Sequence, residues 1–175
     1  MLKVALFYNK LIQGDVRKYA YPERWTRPKK LQKVHGGKSW LENCDKIIMP
    51  IHKGNHWCCA VIDVAEQHLV YYDSFGGKDD FCLEALRQFT MDEAKQRNVD
   101  VGDAASWPLL FPTKIPRQTN GWDCGVFAVN FAEAESRCMG RPRQFDFTEP
   151  EMPNLRIRMC AELMDGTLTY KGGAV

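Results

Sequence analysis

The chain has 175 residues, of which 45% are hydrophobic and 11% aromatic, so it is long enough to bury the core of one domain. Its formal net charge is only +2, which gives no global field of the kind that favours nucleic acid. No run of about eighteen apolar residues is present and the N-terminus does not resemble a signal peptide, so we expect an intracellular protein without a membrane span.

A basic segment with an aromatic residue inside it is the first distinctive feature in chain order: Arg24-Trp25-Thr26-Arg27-Pro28-Lys29-Lys30. Positive charge beside an aromatic ring would suit an acidic protein surface. A solvated surface loop broken by proline explains the same composition, and composition alone favours the loop.

Three short runs rich in Ile, Val, Tyr and Trp predict three consecutive antiparallel strands, at residues 45–52, 56–63 and 68–73. Turn-forming residues separate them. Pro50 cannot donate a ladder hydrogen bond, so the first strand is expected to lie at an edge or to be irregular there.

The remaining sequence predicts three helices. The first is capped by Asp79 or Asp80 and ends near Asn98, and residues 107–111 in the loop after it either add a short strand or pack down. The second helix begins at Cys124. The third is marked by apolar residues at helical spacing and a closing glycine: Met152, Leu155, Met159, Leu163 and Gly166.

Seven cysteines show no spacing typical of a zinc site, and one at least must be unpaired, so most are expected to be reduced thiols. Cys58 and Cys59 are neighbours in a predicted strand and therefore point to opposite faces. A role as small buried hydrophobes is favoured over a redox role. No metal or other cofactor is predicted.

Cys124 is the candidate nucleophile, because it follows the turn Asn120-Gly121-Trp122-Asp123 and starts a helix. Free amide hydrogens and the positive dipole at a helix N-terminus stabilise a thiolate. Acyl transfer also needs an imidazole to take and return the proton, and His56, which begins a strand beside Trp57, is the candidate among four histidines.

Asp73 ends the strand that follows the one begun by His56, and an antiparallel pair would bring these two ends together. Its carboxylate can then orient the imidazole, although Asp73-Ser74 alone is also ordinary turn chemistry. Gln118 precedes Cys124 by six residues in a loop that contains Gly121. Its amide can fold back and donate to an oxyanion, a contact that typically contributes about 10²–10³ in rate.

The candidate base, acid, amide and nucleophile occur in an order that matches a known family, and the chain resembles the SUMO-specific (sentrin-specific) cysteine proteases. The segments that carry the resemblance span nearly the whole chain: Val16-Arg17-Lys18 through Arg24-Trp25-Thr26, Met49-Pro50-Ile51-His52, His56-Trp57, Tyr71-Tyr72-Asp73-Ser74, Gly76-Gly77, Ile115-Pro116-Arg117-Gln118, Asn120-Gly121, Asp123-Cys124-Gly125 and Met152-Pro153.

The resemblance implies a papain-like α+β fold, with a small antiparallel sheet flanked by helices, and a protease that matures SUMO precursors and removes SUMO from lysines. It assigns Cys124 as nucleophile, His56 as base and Asp73 as orienting acid. The oxyanion donor would be Gln118. The implied substrate-binding residues are Trp57, which would lie over the diglycine end of the modifier in a narrow tunnel, and Arg24, Trp25 and Gly121.

The chain departs from the family in two ways. An upstream helical Trp-Leu-Asn-like motif, whose Trp forms the other wall of the tunnel, is not found; Trp40-Leu41-Glu42-Asn43 looks similar but falls between the basic segment and the first strand. Trp122 stands near the nucleophile where relatives often have a small polar residue. We therefore expect residues 1–175 to form one cysteine protease catalytic domain that lacks the N-terminal segment of the family.

Alternatives remain open: a protease for another ubiquitin-like modifier, an acetyltransfer enzyme with a similar triad, or a non-catalytic domain that binds a ubiquitin-like protein. The expected partners are SUMO or SUMO-conjugated proteins, with no nucleic acid and no membrane, and the expected state is a monomer. A nuclear or nucleocytoplasmic location is implied by the family alone.

Overall fold

The computed structural model describes residues 39–137 and 144–167. The basic segment, including the candidate binding residues Arg24 and Trp25, lies outside the described residues. The elements, in chain order, are α1 (Trp40–Asn43), β1 (Lys46–Lys53), β2 (His56–Asp63), β3 (His68–Tyr72), α2 (Asp80–Arg97), β4 (Leu109–Leu110), α3 (Cys124–Arg137) and α4 (Met152–Asp165), with 3-10 turns at Ala104–Ser106 and Glu149–Glu151. None of the helices in these two ranges has the length and apolarity that a membrane span needs.

The four strands form one sheet in the order β1-β2-β3-β4. The first three are antiparallel, as predicted, and Lys53 at the end of β1 pairs with His56 at the start of β2. β1, which contains Pro50, is an edge strand of this sheet. The short strand β4 pairs parallel to β3, so the described sheet is mixed rather than wholly antiparallel.

Local signals account for the helix ends. The side chain of Asp79 accepts a hydrogen bond from the amide of Cys82 at the start of α2, and Asn98 ends that helix in the left-handed conformation with φ 54°. Pro153 lies in the first turn of α4, where its missing N–H costs nothing, and Gly166 follows the last turn with φ 65°.

Apolar residues on the two faces of the sheet build two cores. On β2, Cys58, Ala60 and Ile62 belong to the cluster covered by α2, whereas Cys59 and Val61 belong to the cluster covered by α3. This alternation is the period-two pattern of a strand that is buried on both faces. The fold is therefore α+β, with the sheet between helices.

Trp40 belongs to the cluster on the α2 side and is only 5% exposed. Its ring is stacked on Phe89 of α2, with 5.9 Å between the ring centroids. The Trp-Leu-Glu-Asn segment therefore contributes a core residue on the face of the sheet opposite to α3.

A cluster of polar side chains between α3 and the sheet links the two. The Lys46 ammonium on β1 contacts Asp63 at 3.2 Å and Glu135 of α3 at 2.9 Å, and the Tyr72 hydroxyl donates a hydrogen bond to Glu135. Each buried charge has an opposite partner, so its desolvation is compensated. These bonds fix the helix that begins at Cys124 against β1 and β3.

Candidate active site

His56 and Asp73 come together at one end of the sheet, where β2 begins and β3 has just ended. The Nε2 atom of His56 lies 2.8 Å from Oδ1 of Asp73. The antiparallel pairing of β2 and β3 produces this contact. Cys59 pairs with Tyr72, Asp73 follows Tyr72 directly, and His56 lies three residues before Cys59, so both residues stand at the same end of the sheet.

The turn after β3 holds the Asp73 carboxylate in place. Its Oδ1 accepts a second hydrogen bond from the Phe75 amide at 2.8 Å, and the Gly76 amide donates to the Asp73 carbonyl. Asp73 Oδ2 lies 2.6 Å from the position that a Cβ would take on Gly77, a distance too short for any larger residue. Glycine at position 77 therefore makes room for the carboxylate that meets His56.

The contact with Asp73 determines which nitrogen of His56 is available for proton transfer. Nε2 is occupied by Asp73, which requires the proton on that nitrogen, while Nδ1 is buried and has no hydrogen-bond partner among the described residues. In the neutral ring, the nitrogen without the proton is the acceptor. Nδ1 is therefore the basic atom of this imidazole.

Cys124 is the first residue of α3, is 6% exposed, and is a free thiol. The neighbouring Gly125 lies against Trp57, whose Cδ1 is 3.7 Å from the position of a Cβ on that glycine. Since Trp57 follows His56 directly, this contact brings the start of β2 to the start of α3. The candidate nucleophile and base thus lie at adjoining element ends.

Trp57 is also held by the strand beside it. Its ring lies against His52, which pairs with it across β1 and β2, with 4.4 Å between centroids. The Phe75 ring packs against the His56 ring, with 5.0 Å between the centroids, and Phe75 is 55% exposed. Aromatic rings therefore flank His56 and Trp57. The sequence patterns did not indicate Phe75 as a residue of this site.

Gln118 is 5% exposed and is held at both ends of its amide. Its Oε1 accepts from the Ser74 hydroxyl at 2.5 Å, and its Nε2 donates to the Asn120 carbonyl at 2.6 Å. A backbone bond from the Gln118 amide to the Ser74 carbonyl adds a second link to the turn after Asp73. A side-chain amide carries two N–H groups, so one remains for an oxyanion.

The loop between Gln118 and Cys124 is crossed by polar contacts that sequence patterns did not indicate. Asn120 Oδ1 accepts from the amides of Trp122 and Asp123, both at 3.1 Å. Glu149 and Arg156, which lie about 30 positions after their partners in the sequence, also form hydrogen bonds to this loop. No local motif marks these two residues, since their partners are remote in sequence.

The remaining residues of the loop differ in exposure. Trp122, two positions before Cys124 in the sequence, is 73% exposed. Gly121, a predicted substrate-binding residue, has open space around it, with no atom within 4 Å of the position of a Cβ. The loop thus presents an accessible surface beside the candidate nucleophile.

One set of potential metal ligands overlaps this site: His56, Cys58 and Asp73 each place one donor atom within 4.8 Å of the others. Burial raises the pKa of the Cys58 thiol to about 12, so it stays protonated at neutral pH. A thiol must lose its proton to bind a metal. Two members of the set, His56 and Asp73, are joined directly at 2.8 Å, as expected for an acid–base unit.

These residues make up the parts that acyl transfer requires. A thiol at a helix N-terminus supplies a nucleophile, an imidazole oriented by a carboxylate supplies a base, and an anchored amide supplies an oxyanion donor. The same parts serve hydrolysis of an ester, thioester or amide.

Comparison with known proteins identifies the family. Residues 4–167 match the family described as the Ulp1 protease family, C-terminal catalytic domain. The ubiquitin-like-specific protease ESD4 of Arabidopsis thaliana is 36% identical over 158 residues, which cover 90% of this chain. The chain spans 30% of the length of that relative.

Solved structures show the same fold. The catalytic domain of the Ulp1-like SUMO protease of Chaetomium thermophilum superposes with a TM-score of 0.73 and 27% identity, covering 96% of this chain and 60% of that one. The C-terminal Ulp1 protease domain solved in complex with Smt3, the yeast ortholog of SUMO, has a TM-score of 0.69 and 24% identity, covering 92% of this chain and 66% of that one.

Proposed function

This chain belongs to the Ulp1 protease family, and from that membership we propose that it is a thiol protease and isopeptidase that cleaves after the C-terminal diglycine of SUMO. The reaction matures SUMO precursors and releases SUMO from lysines of target proteins. The observation that carries the proposal is the 2.8 Å contact between His56 and Asp73, placed at the element ends that also bring Trp57 against the helix of Cys124.

The first half of the reaction transfers the SUMO acyl group to sulfur. His56 Nδ1 takes the thiol proton of Cys124, and the thiolate attacks the carbonyl carbon of the terminal glycine. The carbonyl oxygen becomes an oxyanion, which accepts hydrogen bonds from the Gln118 amide and from backbone amides at the start of α3. His56 then gives its proton to the leaving amine, the carbon–nitrogen bond breaks, and a thioester remains.

The second half returns the enzyme to its starting state. His56 takes a proton from water while the hydroxyl attacks the thioester carbon. Collapse of the tetrahedral intermediate expels the Cys124 sulfur, which recovers a proton from His56, and SUMO leaves with a free carboxylate. Asp73 keeps its contact with Nε2 throughout and stabilises the imidazolium.

The Trp57 indole is proposed to lie over the diglycine of SUMO. A flat ring held by His52 and by Gly125 leaves space for residues without side chains and excludes bulkier ones. Gly121 would leave the opposite side of the loop open to the substrate. Arg24 and Trp25 are proposed as a docking point for an acidic face of SUMO.

The wider properties of the chain are also proposals. We expect a monomer that acts on SUMO or its conjugates without nucleic acid or membrane, and a nuclear or nucleocytoplasmic location. The +2 net charge is consistent with the absence of a nucleic-acid partner. Gel filtration and imaging of the tagged chain in cells test the state and the location.

Covalent labelling tests the proposed function directly. The purified chain is incubated with SUMO that carries a thiol-reactive warhead at its C-terminus, and the adduct is measured by gel shift and mass spectrometry. We expect one adduct on Cys124, because the warhead replaces the carbonyl that the thiolate attacks. Cys160→Ala, which removes an exposed cysteine on α4, is the matched control and is expected to label normally.

The alternatives give different results. Ubiquitin or another ubiquitin-like protein with the same warhead would react in place of SUMO if the modifier is different. Tight SUMO binding by a folded chain that forms no adduct would show a non-catalytic domain. An adduct that persists in Cys124→Ala would reject the nucleophile.

A further inference from the structure

The loop that joins Gln118 to Cys124 is anchored by two residues of the C-terminal segment. Both flanking residues, the amide donor and the nucleophile, face the same reacting carbonyl in the proposed mechanism. The loop residues Thr119 to Asp123 therefore determine how those two groups are placed relative to each other.

Glu149 binds the first half of the loop. Its Oε1 accepts from the Thr119 amide at 2.6 Å, from the Asn120 amide at 3.2 Å and from Asn120 Nδ2 at 2.9 Å. Its Oε2 accepts from the Thr119 hydroxyl at 2.8 Å. The hydrogen bonds from the Thr119 amide and hydroxyl lower the pKa of this carboxyl group, so the charged form is the one that binds.

Arg156 of α4 binds the second half. Its guanidinium contacts Asp123 Oδ1 through Nε at 3.2 Å and through an Nη at 2.8 Å, and it donates to the Trp122 carbonyl at 2.9 Å. Asp123 comes directly before Cys124, and its carbonyl accepts the first bonds of α3. Arg156 thus holds the backbone from which the helix of the nucleophile starts.

Asn120 connects the two halves. Its side chain donates to both Glu149 and Asp123, and it accepts from the amides of Trp122 and Asp123. Its carbonyl accepts from Gln118 Nε2. A displacement of Asn120 would therefore rotate the amide that is proposed to donate to the oxyanion.

We propose that Glu149 and Arg156 are positioning residues that clamp residues 119–123, so that the Gln118 amide and the amides at the start of α3 converge on the oxyanion. Neither residue needs to touch the substrate. The inference rests on the proposed function, because the oxyanion belongs to SUMO cleavage. A misplacement of about 1 Å at such a group can cost roughly 10²-fold in rate.

Three variants test the clamp: Glu149→Ala removes all its acceptors, Glu149→Gln keeps one acceptor oxygen, and Arg156→Lys keeps the charge but cannot bridge Asp123 and Trp122. The matched controls are Glu133→Ala and Arg158→Lys, since these residues form ion pairs within α3 and within α4. The substrate is SUMO with a C-terminal aminomethylcoumarin amide. Alkylation by iodoacetamide is measured in parallel, because that reaction forms no oxyanion.

We expect kcat to fall about 10-fold or more in Glu149→Ala and by less in Glu149→Gln, with KM within about twofold, as for an interaction made in the transition state. Arg156→Lys is expected to behave like Glu149→Gln. Alkylation of Cys124 should be unchanged and both controls should equal the wild type. Every variant should stay folded at the assay temperature, with a lower unfolding midpoint in Glu149→Ala because its hydrogen bonds to the loop are lost. Unchanged kcat in Glu149→Ala and Arg156→Lys, or losses of kcat matched by losses of alkylation or by unfolding at the assay temperature, would overturn the proposal.

Amide hydrogen exchange separates failure of the clamp from failure of the proposed function. If the wild type does not cleave the SUMO substrate, the proposed function is rejected. The exchange rates of residues 119–123 in Glu149→Ala still test whether Glu149 holds the loop. Faster exchange confined to residues 119–123 in Glu149→Ala supports the clamp. Exchange equal to that of the wild type rejects it.

Discussion

The two oxygens of Asp73 have different surroundings, and this difference sets what the residue can do. Oδ1 is shared between His56 and the Phe75 amide, whereas Oδ2 lies over Gly77. A carboxylate can accept both bonds at once, and it requires the proton of the imidazole to be on Nε2. Asp73 thus selects the tautomer that leaves Nδ1 basic.

Asp73→Asn is expected to lower kcat by about 10²–10⁴, because a neutral amide cannot stabilise the imidazolium that forms on His56 as a carboxylate does. The fold should persist, since Asn can still accept from the Phe75 amide. Steady-state cleavage of the SUMO amide measures the loss. Asp79→Asn, which keeps a good N-cap on α2, is the control and should retain full activity. More than a tenth of wild-type activity in Asp73→Asn would reject the orienting role.

At the scale of elements, strand β2 carries a cysteine into each of the two cores. Cys58 and Cys59 are both fully buried. Burial raises the pKa of Cys58 to about 12, above the ordinary value of 9.0, and it raises the pKa of Cys59 as well. The folded strand therefore keeps both thiols neutral in conditions where an unfolded chain would ionise them.

Stability is therefore expected to fall as pH rises above about 9. The sign follows from linkage: the folded-state pKa is raised, so the unfolded state loses its proton first, and each such group lowers the free energy of unfolding by up to about 1.4 kcal/mol per pH unit. Below pH 9 both states hold the proton and the contribution is constant. Urea midpoints measured from pH 7 to 11 test this.

The comparison variant is Cys58→Ala, which should show a shallower decline of the urea midpoint with pH, whatever its stability at neutral pH. Cys160→Ala removes an exposed thiol from α4 and should leave the decline as it is in the wild type. Identical slopes in Cys58→Ala and the wild type would contradict the assignment to this strand.

On the scale of the whole molecule, the two cores share the sheet as a common wall. Leu86 of α2 lies in one cluster and Phe131 of α3 in the other, and both are buried. Because β2 and β3 contribute side chains to both clusters, loss of either core removes support from the other. The two faces should therefore unfold together.

Leu86→Ala and Phe131→Ala are each expected to destabilise the protein, by about 2–5 and 3–5 kcal/mol respectively, through lost burial and a cavity. Each should shift a single transition that tryptophan fluorescence and circular dichroism report alike. Leu163→Ala, at a position 82% exposed on α4, should change stability by less than about 0.5 kcal/mol. Two separate transitions in either core variant would show independent cores.

Much of this architecture is determined by short-range patterns. The predicted bounds of β2 and α2, and the predicted end of α4 at Gly166, agree with the structure to within a residue, because alternation, caps and a terminal glycine act over a few positions. The motifs around the candidate base, acid and nucleophile were sufficient to identify the family. The catalytic roles of those residues stay predictions that the labelling experiment tests.

Only the tertiary structure decided the rest. It determined which nitrogen of His56 meets Asp73, that Trp40 packs in the core, and that Glu149 and Arg156 hold the loop before Cys124. The physical reason is range: caps and periodicity depend on neighbours within a turn or two, whereas these contacts join side chains 17 to 49 positions apart that meet only after the sheet and helices have packed.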